Sequence, residues 1–134
     1  MGIQLSVDAR NARLNAIETI TGASPLLRIF SGTMPLNCAA ADAGTKLIEI
    51  TLGANWMNDA ASGEKEKNGT WSGTGLDDGV AGYFRIKSND GTVCHIQGIV
   101  TLTGDGGDMT LDNTNIAIDQ VVTIDTFTLT DGNE

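Results

Sequence analysis

Basic residues, aromatic rings and the usual catalytic side chains are all scarce in this chain. Eight Lys and Arg stand against 17 Asp and Glu, a formal net charge of -9. Nucleic-acid affinity rests on Lys and Arg displacing counterions from phosphates, so this balance argues against a nucleic-acid partner. There is one histidine, His95. Its neighbour Cys94 points to the opposite side if the segment is a strand, which leaves little from which to build a nucleophile and base pair. His95 is therefore read as structural. No GxxxxGK[ST] phosphate loop occurs. Apolar runs all fall well short of the roughly 20 residues that a spanning helix needs, so no membrane partner is expected. The start, Met-Gly-Ile-Gln-Leu-Ser, has neither a basic nor an apolar region of a secretory signal, and none is expected. Two cysteines are too few for a disulfide scaffold. Reduced thiols at Cys38 and Cys94 are the default, with a disulfide between them left open.

What the chain does contain is 17 Gly, 16 Thr and 10 Asn in 134 residues. Thr with Val and Ile favours strands, and Gly and Asn supply turns. The length suits one domain, residues 1–134. The expectation is a mainly β protein with a mostly aliphatic core.

Periodicity places one helix at 6–21, with Ser6 as N-cap, Asp8 in the first turn and Gly22 as the stop. Val7, Leu14 and Ile17 would face the sheet, and Arg10, Arg13 and Glu18 the solvent. Strands follow from about 26 to 130. The clearest are 26–31, 46–52, and 79–88 with Phe84 and Ile86 inward and Arg85 and Lys87 outward. Asn89-Asp90-Gly91 signals a hairpin into a strand carrying Cys94, Ile96, Gly98, Val100 and Leu102 on one face. Segment 121–130 reads as one long strand whose phase shift implies a bulge near Asp125-Thr126. The charge run Glu64-Lys65-Glu66-Lys67 makes 59–67 look exposed. Regular turns favour a two-sheet sandwich or barrel.

Candidate chemistry is sparse. Asp105, Asp108 and Asp112, beside Gly104, Gly106 and Gly107, have the ingredients of a calcium turn. They lack EF-hand spacing, and a turn of solvated carboxylates is the preferred reading, as it is for Asp77-Asp78-Gly79. A glycosidase would need flanking carboxylates and aromatic platforms, for which only Trp56, Trp71 and Tyr83 are plausible. No catalytic residue, metal centre or cofactor is assigned, and no enzyme activity is expected. The apolar residues in unusual places are Met34 and Leu36, in a long loop at 34–45, and Trp56 and Met57, beside the end of a strand. These four are the candidate interface residues.

The whole-chain pattern resembles a known family. A helix carrying Arg-Asn-Ala-Arg-Leu-Asn-Ala-Ile precedes Leu-Leu-Arg-Ile-Phe-Ser-Gly and an Ala-rich loop. Gly-Thr-Lys-Leu-Ile-Glu-Ile-Thr-Leu, Ala-Gly-Tyr-Phe-Arg-Ile and Asp-Gly-Thr follow. The end reads Asp-Met-Thr-Leu-Asp-Asn-Thr-Asn-Ile, then Thr-Ile-Asp-Thr-Phe-Thr-Leu-Thr. From about Ser6 to Gly132 this is similar to small virion structural proteins of tailed bacteriophages, some of which are capsid decoration or cement proteins. The resemblance implies a jelly-roll-like two-sheet β-sandwich with one N-terminal helix. It also implies a place on the outer capsid surface, the major capsid protein as partner, and a homo-oligomer, dimer or trimer, on the shell. It carries over no individual functional residues. A tail or head–tail connector component, or a host-surface or carbohydrate-binding module, is the alternative.

Overall fold

A computed structural model describes residues 2–132. The chain is mainly β. The helix α1 (Val7–Thr21) precedes ten strands among the described residues: β1 (Leu26–Ser31), β2 (Lys46–Thr51), β3 (Glu64–Glu66), β4 (Trp71–Thr74), β5 (Gly79–Lys87), β6 (Cys94–Leu102), β7 (Met109–Leu111), β8 (Asn115–Ile116), β9 (Val121–Ile124) and β10 (Thr128–Thr130). No helix among the described residues is long and apolar enough to cross a membrane.

The ends of α1 form as their residues dictate. Ser6 Oγ accepts from Ala9 N at 3.1 Å, and Gly22, at φ +88°, donates to Glu18 O at 3.0 Å. Its docking departs from the expected apolar stripe. Of Val7, Leu14 and Ile17, Leu14 is buried and Ile17 half-buried, but Val7 is exposed. The helix instead holds segment 57–65 through Asn11, Asn15 and Glu18, spaced along one face. Asn11 Oδ1 accepts from Gly63 N at 2.9 Å, and Asn15 Oδ1 from Ala60 N at 2.9 Å. Lys65 Nζ donates to Asn15 Oδ1 and Asn58 O, each at 2.8 Å, and pairs with Glu18 Oε1 at 2.9 Å. Glu18 is thus a docking residue rather than a solvent-facing one.

The Glu64–Lys67 run is likewise not a uniformly solvated face. Ser62 and Gly63 sit at φ +54° and +74°, with Ala61 and Glu64 bonded to each other across them, the geometry of a tight hairpin turn. This starts β3, and its alternation leaves Glu64 and Glu66 exposed while turning Lys65 inward to 1% exposure.

The main sheet runs β2-β1-β5-β6-β7, antiparallel except at β6–β7, with β8 paired to the start of β5. Parallel neighbours usually need about a dozen connecting residues. Here the pairing is only three residues long, and Gly104 and Gly106, at φ +94° and +84°, turn the chain back on itself. Two rows, Ile48–Ile29–Phe84–Gly98 and Ile50–Leu27–Ile86–Ile96, form one apolar face. Against it pack Trp56, Met57, Trp71, Val122, Ile124 and Phe127.

Segment 121–130 is two strands rather than one bulged strand. β9 pairs with β4, and β10 pairs with β3. The phase shift between Ile124 and Phe127 marks the chain leaving one partner for another. The expected aliphatic core also has an aromatic centre. Trp56, Trp71, Phe127 and Phe84 meet in sequence at centroid distances of 6.2, 5.5 and 5.5 Å.

Candidate functional site

On the other face of the main sheet, the register lines up Glu49, Arg28, Arg85 and Gln97 across β2, β1, β5 and β6. A row this polar should face water. It lies instead beneath the loop 32–45, which crosses it between β1 and β2. Arg85 is 1% exposed and Lys87 8%. The expectation that both point outward is right about the face and wrong about the burial, because the loop supplies the oxygens their charges need.

Arg85 fastens that loop directly. Its Nη1 donates to Ala40 O and Asp42 Oδ1, both at 2.8 Å, and its Nη2 to Asn37 O at 3.1 Å. Gln97 Oε1 accepts from Arg85 Nε and Nη2 at 3.1 and 3.0 Å, while Gln97 Nε2 donates to Pro35 O at 3.0 Å. Lys87 Nζ reaches Asp42 Oδ2 at 2.9 Å, and Arg28 lies between Asp42 and Glu49. Burial pushes the Asp42 carboxyl up, but the hydrogen bonds and charges of Lys87 and Arg85 outweigh it and hold the group below its ordinary value. Glu49 is held down in the same way by Arg28 and Lys46.

The loop is also shaped locally. Asn37 Oδ1 accepts from Ala39 N and Ala40 N, a side-chain-capped turn. Tyr83, stacked on Phe30 at 5.0 Å, donates its hydroxyl proton to Ala43 O at 2.6 Å and accepts from Ala43 N at 2.9 Å. Gly44 sits at φ +72° against the Ser31 carbonyl, where any Cβ would collide. Between the fastened Pro35 and Asn37 carbonyls, Leu36 stands 94% exposed, with Met34 half-buried beside it.

The four candidate interface residues therefore divide. Met34 and Leu36 lie together on the loop. Trp56 and Met57 are both 0% exposed, with Trp56 Nε1 donating to Gly22 O and Met57 N to Glu18 Oε2. They belong to the core and offer a partner no surface. A strand end followed by Trp-Met looks open in sequence, but β4, β9 and the helix close over it. Arg85 is the residue that sequence reasoning missed. Its alternation with Phe84 and Ile86 signals a polar face, and only the small, Ala-rich loop hinted at a cover able to lie flat on it.

The remaining candidates are dispersed. Asp108 Oδ2 accepts from Ile99 N at 2.9 Å, and Asp112 from Thr103 Oγ1 at 3.4 Å. No group of three or more His, Cys, Asp or Glu is arranged to hold a metal among the described residues. Asp90 accepts from Ser88 Oγ, Thr92 Oγ1 and Thr92 N, which lowers its pKa to about 2 and pins the β5–β6 hairpin. Cys94 opens β6 opposite Lys87. Its thiol is pushed up to about 12 by burial and by Cys38, whose side chain lies against it.

All eight basic side chains are already engaged. Arg13, Arg28, Lys46, Lys65, Arg85 and Lys87 are in ion pairs, Arg10 donates to Asp131 O, and Lys67 donates to Gly69 O. Most carboxylates stay exposed, so the surface is more acidic than the net charge alone conveys. All six aromatic residues are buried. No family model matches this chain, and neither a curated protein nor a solved structure matches it.

Proposed function

We propose that this chain is a structural protein of a tailed-phage virion, a capsid decoration or cement protein with no catalytic role. In this reading it is a jelly-roll-like two-sheet β-sandwich. It seats on the outer shell as a dimer or trimer and bridges adjacent major capsid subunits. The observation that carries the proposal is the fastened loop 32–45. A leucine 94% exposed contributes nothing to the protein's own core, yet the backbone on either side of it is tied to the buried Arg85 and to the half-buried Gln97. Such a tip docks at little entropic cost because its geometry is already set.

Two further features support the reading. The acidic surface, with every cation engaged, repels packaged DNA and favours the outside of a particle. The burial of all six aromatic rings leaves no platform for stacking on a sugar ring, which weighs against the carbohydrate-binding alternative. Many identical copies on a symmetric shell turn a modest contact at each site into firm attachment.

Adding purified protein to particles stripped of it tests the reading. Decoration predicts on the order of hundreds of bound copies per particle, and restored resistance to heat and low ionic strength. Tens of copies confined to the tail would establish the connector or tail alternative instead.

A further inference from the structure

We propose that Cys38 and Cys94 are the two halves of a disulfide site that locks loop 32–45 onto the main sheet. Two buried cations of β5, Arg85 and Lys87, bring them together. Asn37 O and Ala40 O, on either side of Cys38, both accept from Arg85. Asp42, a little further on, is held by Lys87, and Lys87 is the register partner of Cys94. The loop therefore lies across the β5–β6 pair at the position where Cys94 emerges. Both thiols are free and half-buried, with the Cys38 side chain against that of Cys94. No other cysteine exists in the chain to compete for either one.

The oxidant is a low-molecular-weight disulfide such as oxidised glutathione. Cys38, carried on the loop rather than in a sheet strand, is the entry thiol. The Cys38 thiolate, having lost its proton to solvent, attacks one glutathione sulfur. That breaks the glutathione S–S bond, and the released thiolate takes up a proton. The Cys94 sulfur then gives up its proton and attacks the Cys38 sulfur of the mixed disulfide, expelling the second glutathione as a thiol. Two protein thiols lose two electrons and two protons, and one glutathione disulfide becomes two thiols.

The bond ties residue 38 to residue 94 across a long stretch of chain, which restricts the unfolded state strongly. It also turns the non-covalent fastening of the Leu36 tip into a covalent one. A protein folded in a reducing compartment would acquire the lock on release to an oxidising one. This inference does not depend on what the loop docks against.

The test treats purified protein with oxidised glutathione or with dithiothreitol under native conditions and compares the products. The expected result is a monomer lighter by two hydrogen atoms, a single cross-linked peptide containing Cys38 and Cys94, and a Tm higher by roughly 10 °C than the reduced form. Cys38→Ser and Cys38→Ala should keep the reduced protein's Tm and show no shift on oxidation. Persistent glutathione adducts, cross-linked dimers, or unreacted thiols in excess oxidant would each overturn the proposal.

Discussion

Lys65 and Arg85 carry full charges to 1% exposure, and each must be offset by its partners or the fold would lose more from desolvation than it gains. Lys65 has the Glu18 carboxylate, Asn15 Oδ1 and the Asn58 carbonyl around it. Removing the lysine leaves the Glu18 carboxylate without its counter-charge, and Glu18 and Asn15 keep only the backbone donors Met57 N and Ala60 N. Lys65→Ala should therefore cost about 3 kcal/mol in urea denaturation. A loss below about 1 kcal/mol would mean that water replaces the ammonium there. Asp42 makes the matching argument for the loop through pH. Its pKa is depressed below 3.8 in the folded protein, so its contribution is full above the unfolded value and fades as pH falls through the folded one. Backbone amide NMR signals of residues 37–43 should shift together as pH drops below 3.8, while those of β1 and β5 hold. Unchanged loop signals down to pH ~2 would contradict a role for the Asp42 charge.

The elements behaved differently according to how local their causes are. The Ser62-Gly63 turn is set by its own backbone, with Ser62 at φ +54° where asparagine is more at ease. Ser62→Asn should stabilise the protein by about 0.5 kcal/mol in the same denaturation assay. The ends of α1 and the hairpin after β5 could be read from the sequence for the same reason: Ser6, Gly22 and Asn89-Asp90-Gly91 act within a few residues. Burial of Lys65, Arg85 and Lys87 could not, because alternation tells which face a side chain takes but not what covers that face. The cover came from loop 32–45 over Arg85 and from α1 over Lys65, both remote in sequence. The division of 121–130 was half legible: the phase shift was visible, but its cause, a change of pairing partner, was not. Of the candidate site, Met34 and Leu36 were legible as apolar residues in a loop. The arginine that fixes them was not. Leu36→Asp should leave Tm within about 1 °C of the parent, since the side chain touches no core. It should lower occupancy on stripped particles at least about tenfold, the scale expected for losing one buried leucine.

For the whole molecule, charge is the feature that bears most on the proposed role. A net charge of -9, with every basic side chain already engaged, leaves a mostly acidic surface, and copies side by side on the proposed shell would have to tolerate one another's field. Attachment through an apolar tip rather than an ion pair meets that condition, because it does not weaken as salt screens the surface. The aromatic residues, few as they are, all serve the interior, so the apolar groups left on the surface are aliphatic, with Leu36 the most exposed of the large ones among the described residues. Cryo-EM of the intact virion is the most direct measurement of the central claim. The account predicts density for this fold on the outer face of the capsid, in copies that follow the shell symmetry, with loop 32–45 and Leu36 seated on the major capsid protein. Density for the fold in the tail alone, or on the shell with Leu36 facing solvent, would contradict it.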